Sequence, residues 1–192
     1  MTPPDQVPGL RERKKLRTRA TIRREALRLI QKQGFAATTV EQIAAAADIS
    51  PRTFSRYFPT KEAVLLSYDH VTLIIDAFVA APRDLSVIEA YRFAVNKTFR
   101  ELSTEERELA ILGQQLMYTV PESYGLLYAE YVRLIDLIAD GLTKRPGAPP
   151  DELERRVLAS AIVGVLIGAS HGTPLPWDPI SASLQTFERM LK

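Results

Sequence analysis

The chain has 192 residues, enough to bury a core, and its 46% hydrophobic and 25% charged residues are typical of a globular protein. It has no cysteine, which excludes disulfide bonds and thiolate metal sites. The net charge of +2 is unevenly divided, because residues 1–61 carry 13 Lys and Arg against 5 Asp and Glu, a net +8, and the remainder carries −6. A basic end predicts contact with a polyanion, although a solvated charged surface is the alternative.

The beginning of the chain is polar and charged, unlike a signal peptide. The longest apolar run, residues 157–169, is shorter than the roughly 20 residues that a membrane span requires. These two features predict a soluble, cytoplasmic protein.

The first predicted helix covers residues 16–33, after a flexible basic arm over residues 1–15. Apolar residues recur at helical spacing, and Gly34 is suited to close the helix in a left-handed conformation. The apolar stripe consists of Ile22, Ala26, Leu29 and Ile30.

Two short helices are predicted next, joined by a tight turn. Thr39 and Gln42 form a capping box at the start of the second helix, and Thr38 with Glu41 offers the alternative register. That helix runs to Ala47. After a break at residues 48–50, Ser50 caps a third helix with Pro51 at its first position, ending near Phe58.

The remaining elements are also helical. A fourth helix runs from Lys61 towards Phe78, and longer helices follow over residues 86–102, 103–119, 122–144, 151–170 and 179–191, with a loop at 145–150. No segment alternates as a strand does, so the predicted fold class is all-α. We expect a small helical domain over residues 16–61 and a larger helical domain over residues 62–192.

The two short helices form a pattern typical of a helix-turn-helix. Its predicted buried positions are Val40, Ile43, Ala44, Ile49, Phe54 and Phe58. Arg52, Ser55 and Arg56 are left on the opposite face, with Tyr57 at its edge. Arginine can pair with guanine in the major groove, whereas serine and tyrosine more often contact phosphates. A helical hairpin of another fold would show a similar pattern, but it would not explain the basic run at residues 11–19, which includes Arg17 as a candidate DNA contact.

Residues 34–44 (GFAATTVEQIA) and 49–62 (ISPRTFSRYFPTKE) are similar to the signature of the TetR family of bacterial regulators. The resemblance implies a three-helix DNA-binding domain, a diverged helical ligand-binding domain, a homodimer and repression of transcription. Outside these motifs the chain resembles the family in length and helicity alone.

The resemblance also implies roles for particular residues. Thr38, Tyr57 and Lys61 match positions that contact the DNA backbone, and Arg52, Ser55 and Arg56 match groove-facing positions of the recognition helix. Many members have glycine where this chain has Ala47 and tyrosine where it has Phe54.

The last two helices are the expected dimer interface, because relatives pair them in a four-helix bundle. Small residues at helical spacing would allow close packing between copies: Ala161, Gly164, Gly168 and Gly172. Packing within one chain is the alternative. A two-fold dimer on a palindromic operator is also the physical expectation, since one helix-turn-helix contacts little DNA.

The resemblance implies a ligand between the middle helices, and the abundance of tyrosine and glutamine with few inward charges favours a small, largely apolar one. No cofactor or metal is expected. The candidate lining residues are Tyr91, Phe99, Gln115, Tyr118, Tyr128 and His171. The alternative for the aromatic residues is a place in the core, and for His171 a capping or interface role. In the family the fourth helix transmits ligand occupancy to the DNA-binding domain.

The alternative classes of function are an all-α enzyme and a ligand-independent DNA-binding protein or activator. An all-α enzyme would need a catalytic or metal-binding pattern, and neither His-Glu-x-x-His, Glu-x-x-His nor a phosphate-binding glycine loop is present. A ligand-independent architectural DNA-binding protein, or an activator, would have the same basic head. The large second domain favours a sensor.

Overall fold

The computed structural model describes residues 10–66, 68–170 and 177–191. These residues form α-helices and two 3₁₀ turns without a strand, which confirms the all-α prediction. The helices are α1 Leu10–Gln33, α2 Val40–Ala46, α3 Pro51–Tyr57, α4 Tyr68–Ala80, α5 Val87–Glu101, α6 Thr104–Thr119, α7 Tyr124–Leu142, α8 Glu152–Ser170 and α9 Trp177–Leu191. The 3₁₀ turns are Glu62–Leu65 and Pro121–Ser123. His171 and Gly172 lie outside the described residues.

The chain divides into two compact units, one ending at Leu65 and the other beginning at Leu66. In the first unit α1 begins at Leu10, six residues earlier than expected, so residues 10–15 are helical rather than part of an arm. Its buried stripe contains Ile22, Ala26, Leu27 and Ile30. Gly34 closes the helix with a φ of +85°, as its position predicted.

Local side-chain caps determine where α2 and α3 begin. The Thr39 hydroxyl accepts a hydrogen bond from the Gln42 amide, and the Gln42 side chain accepts one from the Thr39 amide. Ser50 caps α3, and Pro51 occupies its first turn. Both predicted starts are therefore confirmed, and the alternative register through Thr38 is wrong.

The turn between α2 and α3 depends on Asp48 rather than on Ala47. Ala47 has a φ of −90°, which any residue adopts, so nothing at that position calls for glycine. Asp48 has a φ of +53°, in the left-handed region that glycine occupies at least cost and that Asp tolerates. The position suited to a turn glycine is thus one residue later than the family resemblance suggested.

The predicted fourth helix is interrupted. Glu62–Leu65 forms a 3₁₀ turn, and α4 begins only at Tyr68. Ala63, Val64 and Leu65 are all buried, and three consecutive side chains cannot all lie on one face of a regular α-helix. In a 3₁₀ turn these side chains point in three different directions, so the segment is covered on every side rather than lying with one face on the core.

The second unit is built on α4 to α9. Its core includes Phe78, Tyr91, Ile138, Ile162 and Leu184, with the Phe78 and Tyr91 rings meeting edge to face at 5.7 Å. Capping boxes start α5 at Ser86 and α6 at Ser103, the second as predicted. The later helices lie within a few residues of their predicted bounds, except that Pro121–Ser123 forms a separate 3₁₀ turn before α7.

Arg145 begins the predicted loop, but its side chain is buried, with 6% of its surface exposed. Its guanidinium donates hydrogen bonds to the carbonyls of Phe78, in the last turn of α4, and of Ala81, Pro82 and Leu85, which follow that helix. It therefore caps α4 from the end of α7. Burial lowers the pKa of this guanidinium.

Candidate nucleic-acid interface and cavity of the helical unit

The outer face of α3 presents Arg52, Ser55 and Arg56 to solvent, as the helix-turn-helix pattern predicted. The inner face is held by Phe54 and Phe58, whose rings lie 5.7 Å apart in the core. Because the apolar side chains fix the rotation of α3, the polar ones share one exposed surface. A short helix with two exposed arginines can reach base edges and phosphates in a major groove.

Tyr57 and Arg19 connect α3 to α1. Arg19 donates from Nη1 to the carbonyl oxygen of Tyr57 at 2.8 Å, and its guanidinium lies 4.4 Å from the centre of the Phe58 ring. The Arg56 guanidinium lies 5.4 Å from the Tyr57 ring. Arg19 therefore holds the end of the candidate recognition helix, a role that its place in a basic run did not reveal. Arg17, the candidate from that run, is exposed on α1.

Thr38 and Lys61 both stabilise the loop between α1 and α2. Thr38 is 1% exposed, and its hydroxyl donates to the carbonyl of Gly34 at 2.8 Å. Lys61 donates from Nζ to the carbonyls of Phe35 and Thr38, both at 2.9 Å, and lies 4.1 Å from the centre of the Phe35 ring. Their expected contacts with phosphate stay predictions, and the structural roles seen here were missed.

Gln33 and Gln42 add further hydrogen bonds in the same loop. Gln33 donates from Nε2 to the carbonyl of Ala37 at 3.0 Å and to Oε1 of Gln42 at 2.8 Å. Oε1 of Gln42 also accepts from the amide of Thr39. One glutamine oxygen thus joins the end of α1 to the start of the helix-turn-helix.

The helical unit contains a cavity of about 180 Å³. Its wall is mostly apolar, and the polar side chains on it come from α5 to α8. The lining residues are Val71, Ile74, Tyr91, Val95, Gln114, Met117, Tyr118, Leu127, Glu130, Tyr131, Leu134, Leu166, Ser170 and Ile180. A concave, largely apolar space with a few polar groups is typical of a small-molecule site.

Three hydroxyl groups meet on the cavity wall. The Tyr118 hydroxyl lies 2.7 Å from that of Tyr131 and 2.9 Å from that of Ser170. Ser170 in turn donates to the carbonyl of Leu166. Burial, followed by the hydrogen bond to Tyr118, raises the pKa of Tyr131, so its phenol is protonated at neutral pH.

Further polar groups on the wall are an acid, an amide and a phenol. Glu130 is paired with Arg133, with Oε1 and Nη2 separated by 2.6 Å. Oε1 of Gln114 is buried without a hydrogen-bond partner. Burial raises the pKa of Tyr91, so this phenol is also protonated.

Of the sequence-predicted ligand residues, Tyr91 and Tyr118 lie on the cavity wall. Phe99 is buried elsewhere in the unit, with its ring 6.1 Å from that of His70. Gln115 is exposed, and Tyr128 is 72% exposed, so neither side chain faces the cavity. His171 is not among the described residues. Gln114, Glu130, Tyr131 and Ser170 were missed.

One face of α8 is exposed and apolar. Leu153 and Val157 are 69% and 61% exposed. Gly164 and Gly168 follow at helical spacing on the exposed side, and a Cβ built on either glycine meets nothing within 4 Å in this chain. The alternative, packing of these two glycines within one chain, is therefore not seen among the described residues.

The fold and the arginine-bearing α3 face define a helix-turn-helix protein with a separate helical unit. Residues 22–68 match the family profile described as "Bacterial regulatory proteins, tetR family", and residues 85–173 match a TetR-type C-terminal profile described as "MftR C-terminal domain". The two matches together cover more than half of the chain. The chain belongs to the TetR family.

Individual relatives agree with this assignment. The chain is 41% identical over 132 residues to the HTH-type transcriptional regulator TcmR of Streptomyces glaucescens, an alignment covering 66% of this chain and 57% of TcmR. The chain thus spans less than two thirds of this curated relative.

Solved structures share the fold. The repressor AlkX of Dietzia sp. is 19% identical, with a TM-score of 0.58 over 90% of this chain and 94% of AlkX. The repressor FadR of Thermus thermophilus, solved with lauroyl-CoA, is 26% identical, with a TM-score of 0.50 over 90% of this chain and 92% of FadR.

Two further properties concern the described residues alone. None of their helices is long and apolar enough to cross a membrane. No three of their His, Asp and Glu side chains are grouped so that they could hold a metal ion.

Proposed function

We propose that the chain is a DNA-binding transcription regulator, a homodimeric repressor that a small, largely apolar ligand releases from a palindromic operator. The exposed arginines of α3 carry the proposal, because they stand on a helix whose rotation is fixed by Phe54 and Phe58. The net charge of +8 over residues 1–61 favours association with DNA.

Dimerisation through α8 and α9 is supported by the exposed apolar face of α8. Leu153 and Val157 would lose contact with water in a dimer, and Gly164 and Gly168 would allow a second helix to approach closely. A two-fold dimer would present two α3 helices to the two halves of a palindrome.

The cavity supports a ligand-controlled regulator over an architectural DNA-binding protein. The lauroyl-CoA bound to Thermus FadR shows that a relative takes a small-molecule effector. That particular ligand is not carried over, because none of the described residues lining this cavity is a cation that could receive its phosphates. A ligand would weaken DNA binding to the extent that it prefers the conformation unable to bind DNA.

The test is the fluorescence anisotropy of a labelled DNA fragment from upstream of the protein's own coding region, compared with scrambled DNA at two salt concentrations. We expect tight, sequence-preferring binding that Arg56→Ala weakens by about 1–3 kcal/mol. Arg28→Ala is the matched control, since it removes one exposed positive charge from α1 without changing α3.

Weak binding to both fragments with a steep salt dependence would contradict the proposal and favour the architectural alternative. Equal losses from Arg56→Ala on both fragments would show that Arg56 contacts phosphate rather than a base.

A further inference from the structure

The hydroxyl groups of Tyr118, Tyr131 and Ser170 form a chain whose proton positions follow from its end. Each hydroxyl has one proton to donate. The carbonyl of Leu166 can only accept, so the proton of Ser170 is committed to it. Ser170 must then accept from Tyr118, and Tyr118 must accept from Tyr131.

This direction determines what Tyr131 can offer to a molecule in the cavity. Its proton points to Tyr118, so towards a ligand its oxygen presents lone pairs alone. A ligand that donates a hydrogen bond would be accepted there. An ether or a ketone would place its own lone pairs against those of Tyr131 and leave both oxygens unsatisfied.

The other polar groups described on the cavity wall also accept hydrogen bonds. Oε1 of Gln114 is a second acceptor, buried without a hydrogen-bond partner. Among the described lining residues Glu130 bears the only formal charge, which is negative and paired with Arg133. An anionic ligand would therefore lose its hydration without gaining a counter-ion.

The size of the cavity limits the ligand further. A cavity of roughly 150 Å³ holds benzene in a known engineered case, so about 180 Å³ is suited to one ring or two fused rings. Such a ligand would bury apolar surface against Ile74, Val95 and Leu134.

We propose that this cavity selects an uncharged, compact ligand that carries a hydroxyl or N–H donor and gives that hydrogen bond to Tyr131. The inference deepens the effector site proposed above and rests on it. It excludes fatty acids, acyl phosphates and other anions as the preferred ligand class.

The experiment compares three probes of the same ring system: β-naphthol, its methyl ether and β-naphthoate. Dissociation constants are measured by isothermal titration calorimetry with the full chain at neutral pH. We expect β-naphthol to bind about tenfold more tightly than the ether, which lacks the donor, and more tightly than the anion.

Two variants test the proton direction because they predict different changes. Tyr118→Phe removes the acceptor of the Tyr131 proton. That proton is then free to bond to the ligand, so the affinity for the methyl ether should rise about tenfold. Tyr131→Phe removes the oxygen that accepts from the ligand, so the affinity for β-naphthol should fall about tenfold while the affinity for the ether is unchanged. Tyr128→Phe is the matched control, since that tyrosine is exposed on the same helix as Tyr131 and lies off the cavity wall.

The proposal is overturned if the wild-type chain binds the ether or the anion as tightly as β-naphthol, or if none of the three probes binds. It is also overturned if Tyr118→Phe leaves the affinity for the ether unchanged. Operator binding by the same preparation, measured without any probe, keeps the two proposals separate. A chain that binds operator but fails these tests is a regulator with a different ligand class.

Discussion

Replacing Arg145 by Met should destabilise the helical unit by about 3 kcal/mol. The guanidinium donates to the carbonyls of Phe78, Ala81 and Pro82 at 2.9 Å each and to that of Leu85 at 3.4 Å. Methionine keeps most of the volume of the side-chain stem but supplies no donor. The variant therefore leaves the carbonyls at and after the end of α4 without the group that caps them.

The magnitude follows from two opposing contributions. A hydrogen bond to a charged group stabilises by about 1.5–3 kcal/mol, so three short ones give roughly 4.5–9 kcal/mol. The bond at 3.4 Å is too long to add much. Burying a guanidinium without a carboxylate partner costs several kcal/mol, in agreement with the lowered pKa of Arg145. Setting the middle of the first range, about 7 kcal/mol, against a burial cost of about 4 kcal/mol leaves a loss of about 3 kcal/mol.

Urea denaturation followed by circular dichroism measures this loss, provided that the helical unit gives its own transition. The free energy of unfolding of Arg145→Lys should lie between those of Arg145→Met and the wild type, because one ammonium cannot reach all of these carbonyls. Lys144→Met is the control, since Lys144 is the exposed neighbour of Arg145. A value for Arg145→Met within 1 kcal/mol of wild type would refute the reasoning.

Three other predictions concern separate parts of the chain. Lys61→Met should destabilise the first unit by about 2 kcal/mol, measured by thermal denaturation, because two charged hydrogen bonds to loop carbonyls are lost; an unchanged midpoint would contradict the structural role. Asp48→Ala should lower the free energy of unfolding by about 1 kcal/mol, because Asp48 has a φ of +53°, whereas Asp48→Gly should not lower it. Equal denaturation midpoints for the two variants would argue against strain at this position. Gly164→Leu should convert the dimer to monomer in sedimentation velocity while Gly125→Leu, at another open glycine, should not; a dimer in both would place the interface elsewhere.

The features that sequence predicted best are those determined within a few residues. The capping boxes at Thr39 and Ser103 depend on residues three positions apart, so their helix starts could be read directly. The exposed face of α3 also followed, because Phe54 and Phe58 clearly mark its buried side.

The cavity lining was less accessible to sequence analysis. On α6 the prediction chose Gln115 where the wall has Gln114, and on α7 it chose Tyr128 where the wall has Tyr131. These helices carry apolar residues on several sides, so the hydrophobic pattern does not say which side meets α5 and α8. That choice depends on tertiary packing.

Arg145 shows a different limit. An arginine followed by Pro, Gly and Ala has the composition of an exposed loop. Its partners are carbonyls at and after the end of α4, more than 60 residues earlier in the chain. No local sequence pattern indicates a hydrogen bond between residues so far apart in the chain.

The central claim is that the α3 helices of a dimer read a palindromic DNA sequence, and selection from a random duplex library tests it most directly. Purified full-length chain should enrich an inverted repeat, and Arg56→Ala should lose the preference at one base step in each half-site. Enrichment of no consensus by the wild-type chain, or an identical consensus from Arg56→Ala, would contradict the account of this interface.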